Sequence, residues 1–226
     1  MKASTFFSSV EDSKILLKKF ELLKNSNNSQ KQISESFSNV CRKKDYIKTY
    51  NAALNSNDYH LLLFDDSFFQ FELSEYDKKP LLRYSFYQTP HDFIPYEEYL
   101  KSNDLKFNEV GYEYQDEYEQ VLNEAPKKET FLSIRYDYSE KEYKTGVHSV
   151  SHFHIGFRSS IRITSSIYIT PLLFVIFIIK NVYSKKWPSL IKDDDFLKQY
   201  KKQKDKCECV EETFFQELDK IELYLM

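Results

Sequence analysis

The sequence predicts an α+β fold in which a mostly antiparallel meander sheet is flanked by N-terminal and C-terminal helices. Three observations predict it. Apolar residues recur at helical spacing before residue 58, alternate in short runs rich in Tyr and Phe between 59 and 168, and return to helical spacing after 169. The connections between the middle runs are short, which favours meander pairing over βαβ crossovers. A chain of 226 residues can bury one core of this kind, so 1–226 is expected to be a single domain built from those three parts.

The elements follow in order. Val10 to Leu23 carries Val10, Ile15, Leu16, Phe20, Leu22 and Leu23 with Lys and Glu between them, and Ser8 or Ser9 can cap its start. Asn25-Ser26-Asn27-Asn28-Ser29 reads as a polar loop, and a second helical stretch, in one or two pieces, covers about Gln30 to Leu54. Tyr59–Phe64 and Phe68–Leu73 flank the polar turn Asp65-Asp66-Ser67 as a hairpin, and Leu81–Tyr87 adds a third strand. Residues 90–129 are irregular and acidic, with a helical turn at Glu97-Glu98-Tyr99-Leu100, while Glu113–Glu119 fits strand or helix equally. Thr130–Tyr138 reads as a strand. A loop with Gly146, a histidine-rich strand and a short strand Ile161–Thr164 follow. Thr170 and Pro171 suit the N-cap and first position of a helix that runs to about Tyr183. That helix is nearly all apolar and is expected to lie buried against the sheet. Asp193-Asp194-Asp195 opens another helix at its positive dipole end, and Cys209–Leu225 is expected to be a final amphipathic helix.

Composition bounds the function. A net charge of −3 signals no nucleic-acid-binding field, and 18 Tyr with 19 Phe suit strands rather than a disordered chain. Cys41, Cys207 and Cys209 are odd in number and none is spaced as CxxC, which argues against a disulfide framework or structural zinc and for free thiols in a reducing cytosol. The start Met-Lys-Ala-Ser-Thr-Phe-Phe lacks the apolar stretch of a secretory signal, and Leu172–Ile179 is too short to span a bilayer. A cytoplasmic protein with no membrane partner is expected.

The chemistry concentrates between residues 130 and 164. His148, His152 and His154 are three of five histidines, and on a strand the period of two places them with Val150, Gly156 and Arg158 on one face. Ser149, Ser151, Phe153, Ile155 and Phe157 point the other way. On the preceding strand Phe131, Ser133, Arg135 and Asp137 share a face. Antiparallel pairing would bring Arg135 and Asp137 opposite His152, His154 and Arg158, with Arg162 and Thr164 extending the surface, but the register is not fixed by the sequence. Three chemistries fit. Asp137, His152 and His154 could hold a divalent metal, the one cofactor this set suggests. A histidine pair could do acid/base work on a phosphodiester while Arg135, Arg158 and Arg162 hold the phosphate. The surface could instead bind an anion or a partner chain. Alternating Arg, Asp and His is also what a solvated sheet face looks like, where an Arg135–Asp137 pair would contribute little.

Other features read as structural. His60 lies inside a hairpin strand, His91 follows a proline, and the three aspartates at 193–195 cap a helix. Lys185, Lys186, Lys201, Lys202, Lys204 and Lys206 interleave with acidic residues as a solvated face does. The Tyr-rich stretch Tyr112–Tyr118 lacks the positive charge of a base-stacking platform.

The ordered motifs Arg83-Tyr84-Ser85-Phe86-Tyr87 with Pro90, Tyr96-Glu97-Glu98-Tyr99-Leu100, Ile134-Arg135-Tyr136-Asp137-Tyr138, His148, His152-Phe153-His154-Ile155-Gly156, Arg162-Ile163, Pro171 and Asn181-Val182-Tyr183 resemble an uncharacterised bacterial family, the domain of unknown function 2290. The resemblance covers roughly residues 60–185 and implies no activity. An arginine-tyrosine-aspartate strand before a His-x-His strand is similar, by analogy, to products of mobile defence or toxin–antitoxin modules. The expected function is therefore a small cytoplasmic protein of a defence or toxin-like module, acting on a phosphodiester through Arg135, Asp137, His148, His152 and His154, with Arg158 and Arg162 on the substrate. The alternative is a non-catalytic binding or accessory subunit of a multi-protein defence complex, its partner encoded in the same operon. Nucleic acid is a permitted partner that the net charge does not signal.

Overall fold

The alternating runs assemble into one eight-stranded sheet whose strands follow chain order from edge to edge. The computed structural model describes residues 2–76, 79–92, 94, 96–158, 161–205, 207–221 and 224–225. Its strands are β1 (Leu23–Ser26), β2 (Leu61–Leu63), β3 (Phe68–Tyr76), β4 (Lys79–Tyr87), β5 (Ser133–Ser139), β6 (Ser151–Ile155), β7 (Ile161–Ser165) and β8 (Tyr224–Leu225). Neighbours pair antiparallel except β7 with β8. The helices are α1 (Ala3–Lys19), α2 (Glu35–Cys41), α3 (Tyr46–Asn55), α4 (Tyr96–Ser102), α5 (Phe107–Val110), α6 (Gln115–Glu124), α7 (Pro171–Val182), α8 (Trp187–Leu190) and α9 (Asp194–Asp205). The α+β meander is thus the observed architecture, and the undecided stretch 113–119 falls largely in α6.

Period-two alternation decides which side chains meet which layer. Phe69, Phe71, Leu82, Tyr84, Phe86, Ile134, Tyr136, Tyr138 and Phe153 pack with Phe6, Val10, Leu16 and Leu17 of α1 and with the apolar residues of α7. Among the described residues the opposite face is covered by an apolar cluster towards one end, where Leu62, Phe68 and Tyr87 meet Phe37, Tyr46, Tyr50 and Ala53 of α2 and α3. Enclosure on both sides explains why β2 reads Leu-Leu-Leu instead of alternating. The Tyr46 hydroxyl donates to the Gln88 carbonyl and pins α3 to the chain leaving β4. Beyond this covered end the same face of β3–β7 turns polar.

Local signals explain the helix starts. Thr170 Oγ1 accepts from the Leu173 amide at 3.3 Å, and Asp193 Oδ1 accepts from the Phe196 amide at 2.8 Å. The α7 helix is buried as its composition requires. Among the described residues no helix is long and apolar enough to cross a membrane.

Four expectations are corrected. The α1 helix begins at Ala3, so Ser8 and Ser9 lie within it. Ser9 Oγ instead accepts from the Leu172 amide at 2.9 Å and ties α1 to α7. The expected polar loop after α1 contains edge strand β1, so the 1–58 part is not purely helical. Asn27 ties the end of that strand to the chain entering β2 by donating to the Asn57 and Tyr59 carbonyls at 3.0 and 2.8 Å. The expected helix over 209–225 is replaced by a 3₁₀ turn (Glu212–Phe214) and β8. Its backbone completes the sheet edge: the Val210 amide donates to Ser166 O at 2.8 Å and the Ser166 amide to Leu225 O at 2.9 Å. Asp219, 3% exposed, accepts from the Gly146 amide at 2.9 Å, the Tyr143 hydroxyl at 2.7 Å and the Gln216 amide at 2.9 Å. These tertiary bonds override the local helical spacing. Lastly, β6 starts at Ser151, so His148 precedes the strand and Val150 turns into the apolar core. Lys206 of the lysine patch lies outside the described residues.

Candidate functional site

Register places the charged residues in two rows across the uncovered part of the polar face. Glu72, Arg83, Asp137, His152 and Thr164 stand opposite one another from β3 to β7, and Gln70, Ser85, Arg135, His154 and Arg162 form the adjacent row. The pairing that the sequence left open is therefore Asp137 with His152 and Arg135 with His154.

The centre of the two rows is an Asp–His–His cluster. Asp137, His152 and His154 are 6%, 1% and 4% exposed. Arg83 Nε–H donates to Asp137 Oδ1 at 3.0 Å, Arg135 Nε–H donates to Oδ2 at 2.8 Å, and His154 Nε2 lies 3.3 Å from Oδ2. Burial alone would raise the Asp137 carboxyl, but the His154 hydrogen bond and the two guanidiniums hold it well below the usual carboxylate range. It is ionised at neutral pH.

His152 has a fixed tautomer. Its Nδ1 lies 2.7 Å from the Ser149 carbonyl, which can only accept, so Nδ1 carries the proton and Nε2 presents a lone pair. Burial, reinforced by His154, lowers its pKa to about 4, so the ring is neutral at pH 7. That lone pair faces His154 Nε2 at 2.9 Å. Because His152 Nε2 is bare, the proton between the rings belongs to His154. His154 Nδ1 is buried with no hydrogen-bond partner among the described residues.

Neighbours of the cluster connect it to solvent. The Arg83 and Arg135 side chains are 41% and 32% exposed, so their terminal amino groups can take a further anion while Nε holds Asp137. Half-buried His148 lies edge-on to His152, ring centroids 4.9 Å apart, and burial followed by Arg162 lowers its pKa. Burial raises Glu72, which Arg83 opposes.

Of the residues expected from the sequence, Arg135, Asp137, His152 and His154 are brought together, and His148 joins them through a turn rather than through strand alternation. Exposed Arg162 pairs in register with His154. Arg158 does not join: it lines an open groove with Lys44, Asp45, Tyr46, Ile47, Phe131, Gly156 and Phe157 beside α3. The reason is Gly156, whose φ of +87° ends the strand and its alternation two residues earlier. The sequence reading missed Arg83 and Glu72 as site residues. Their signal is the polar set of alternate positions on β3 and β4, which acquires meaning only once those strands are known to neighbour β5.

This is an α+β protein whose meander sheet carries one packed face and one Arg/Asp/His face. A family described as an uncharacterized conserved protein, DUF2290, matches residues 13–223, and the chain belongs to it. No curated protein and no solved structure matches the chain.

Proposed function

We propose that the protein is an enzyme acting on a phosphate ester, in a nucleotide or a nucleic acid, at the Arg/Asp/His face. The observation that carries this reading is the convergence of a buried ionised carboxylate and two imidazoles beneath two half-exposed arginines that share that carboxylate. Arg83 and Arg135 offer guanidinium edges to the phosphate oxygens, and Arg162 extends the positive rim. In the ion-free protein the His152–His154 pair, which shares one Nε2–H···Nε2 proton beside ionised Asp137, is the group suited to exchange a proton with an attacking hydroxyl. Attack at phosphorus forms one P–O bond and breaks the ester P–O bond, and the departing oxygen takes a proton in turn. A setting in a cytoplasmic defence or toxin-like module belongs to this proposal by analogy with the Arg-Tyr-Asp and His-x-His strands.

The test is incubation of purified protein with labelled RNA, DNA and dinucleotides, with and without manganese or zinc. Cleavage by the wild type that falls about 10²–10⁴-fold in His152→Ala is expected for loss of a proton-transfer group. Absence of cleavage, or equal cleavage by a His152→Ala/His154→Ala variant, would point instead to a non-catalytic binding or accessory subunit.

A further inference from the structure

We propose that Asp137, His152 and His154 are the protein ligands of a divalent transition-metal ion, and that loading the ion displaces Arg135 from Asp137. Their three ligand atoms lie within 4.8 Å of one another. The His152 Nε2 to His154 Nε2 and His154 Nε2 to Asp137 Oδ2 separations are 2.9 and 3.3 Å. Two donors each about 2.1 Å from one ion, at tetrahedral or octahedral angles, stand roughly 3.0–3.4 Å apart. Two of the cluster's three edges thus already match a coordination shell before any ion enters, and the third, between His152 and Asp137, is within 4.8 Å.

Two further features prepare it. The ligands come from cross-strand partners and from an i, i+2 pair on one strand, so the backbone ladder sets their spacing. The Ser149 carbonyl holds His152 Nδ1–H and aims the opposite nitrogen, the outer-shell arrangement that metal-bound histidines use. Two imidazoles and one carboxylate favour zinc, cobalt or another late transition ion over magnesium and leave coordination positions for water or substrate. His154 must move its proton from Nε2 to Nδ1 to ligate. That nitrogen has no hydrogen-bond partner among the described residues, so the shift breaks no bond to them there.

The arginines raise the obvious objection, and the geometry answers it unequally. Arg83 bonds Oδ1, which is not in the ligand set, and stands opposite Glu72 across the strands. Arg135 bonds Oδ2, the oxygen the ion would use. Ion and Arg135 therefore compete for one atom, and Arg135, being half-exposed, is the partner able to swing away. The released guanidinium would be free for a phosphate oxygen. That last step rests on the proposed phosphate-ester chemistry, whereas the ion itself does not. With the ion bound His152 Nε2 is a ligand, and deprotonation of the attacking hydroxyl would fall to the ion instead of the histidine pair.

The experiment is titration of the untagged, chelator-treated full chain with cobalt(II), followed by visible absorption and by displacement with zinc. Expected is a 1:1 site with imidazole-type cobalt bands. Binding should weaken about 10–100-fold or more in Asp137→Asn and His154→Ala. It should tighten roughly tenfold in Arg135→Ala, because a competitor is removed. Thermal stabilisation of the wild type by zinc but not magnesium gives the same answer without any variant. Wild type that binds no cobalt while retaining its circular dichroism overturns the inference, and so does Arg135→Ala weakening the site. Chelated protein that binds no cobalt yet cleaves a phosphodiester at full rate overturns the ion and leaves the proposed chemistry standing. Protein that binds the ion and cleaves nothing does the reverse.

Discussion

The two faces of β4, β5 and β6 are built from alternate residues of the same strands and solve opposite problems. On one face Tyr84, Tyr136 and Phe153 are at most 2% exposed and pack in succession as tilted rings, with centroids 5.2 and 5.3 Å apart. One position away on each strand, Arg83, Asp137 and His152 form the charged row. The packed face is satisfied by shape: Tyr136 Oη lies 2.9 Å from Ser151 Oγ and accepts from the Ile169 amide, whereas Tyr84 Oη is buried with no hydrogen-bond partner among the described residues. The charged face is as deeply buried at its centre, and there His154 Nδ1 and His148 Nδ1 lack hydrogen-bond partners among the described residues. What separates the faces is charge: a carboxylate and two imidazoles are costly to take out of water, which marks this face as one not selected for packing alone.

The largest expected effect lies on the packed face. Phe153→Ala removes a ring that also packs on Phe174 and Phe177 of α7, and should cost about 3–5 kcal/mol in urea unfolding. Asp137→Asn, one face away and nearly isosteric, should cost roughly 1–3 kcal/mol, because Arg83 and Arg135 can turn to solvent once the charge is gone. Equal losses would erase the distinction between the faces.

A second contrast sets His60 against the site histidines. His60 is fully buried, accepts from the Phe71 amide at Nδ1 and donates from Nε2 to the Lys31 carbonyl, so both nitrogens are used. Burial lowers its pKa from 6.5 to about 4, with the Lys31 hydrogen bond opposing and the Lys31 charge assisting. A lowered histidine pKa means the unfolded chain takes up a proton that the folded chain refuses. Its contribution is complete above pH 6.5, falls as pH drops from 6.5 towards 4 and is gone below that, a loss of roughly 3 kcal/mol. His60→Gln should therefore be less stable than wild type at pH 7.5 and converge with it near pH 4. Parallel stability–pH curves for the two proteins would contradict this.

Much of the fold was legible because it follows from period. The hairpin about Asp65–Ser67, strands at 81–87 and 133–138, and the Thr170–Pro171 helix start all announce themselves locally. The Asp137–His152–His154 face was legible as a face, but its assembly needed register, and alternation cannot supply register. Arg83 and Glu72 escaped for the same reason: their role comes from strands 54 and 65 residues away from Asp137 in sequence. Arg158 misled because Gly156 ends the alternation that would have carried it into the site. The β1 strand and the C-terminal tail escaped because both sit at sheet edges, where polar side chains are tolerated and long-range backbone bonds, not apolar spacing, hold the chain.

That tail supplies the smallest predicted effect and the most local one. Asp219 joins residues 143–146, just ahead of the histidine strand, to the segment leading into β8, and β8 completes the β7 edge next to the charged rows. Asp219→Asn keeps the shape and one acceptor oxygen but weakens the bonds to the Tyr143 hydroxyl and the Gln216 amide, at a cost of about 1 kcal/mol. The loss should appear as local opening. Hydrogen exchange should quicken at the Ser166 and Val210 amides, which donate to Leu225 and Ser166, and stay unchanged at the amides of β5. If exchange quickened equally across β5 and β6, the tail would be part of the cooperative core, and the charged face would depend on the chain terminus as much as the packed face depends on α7.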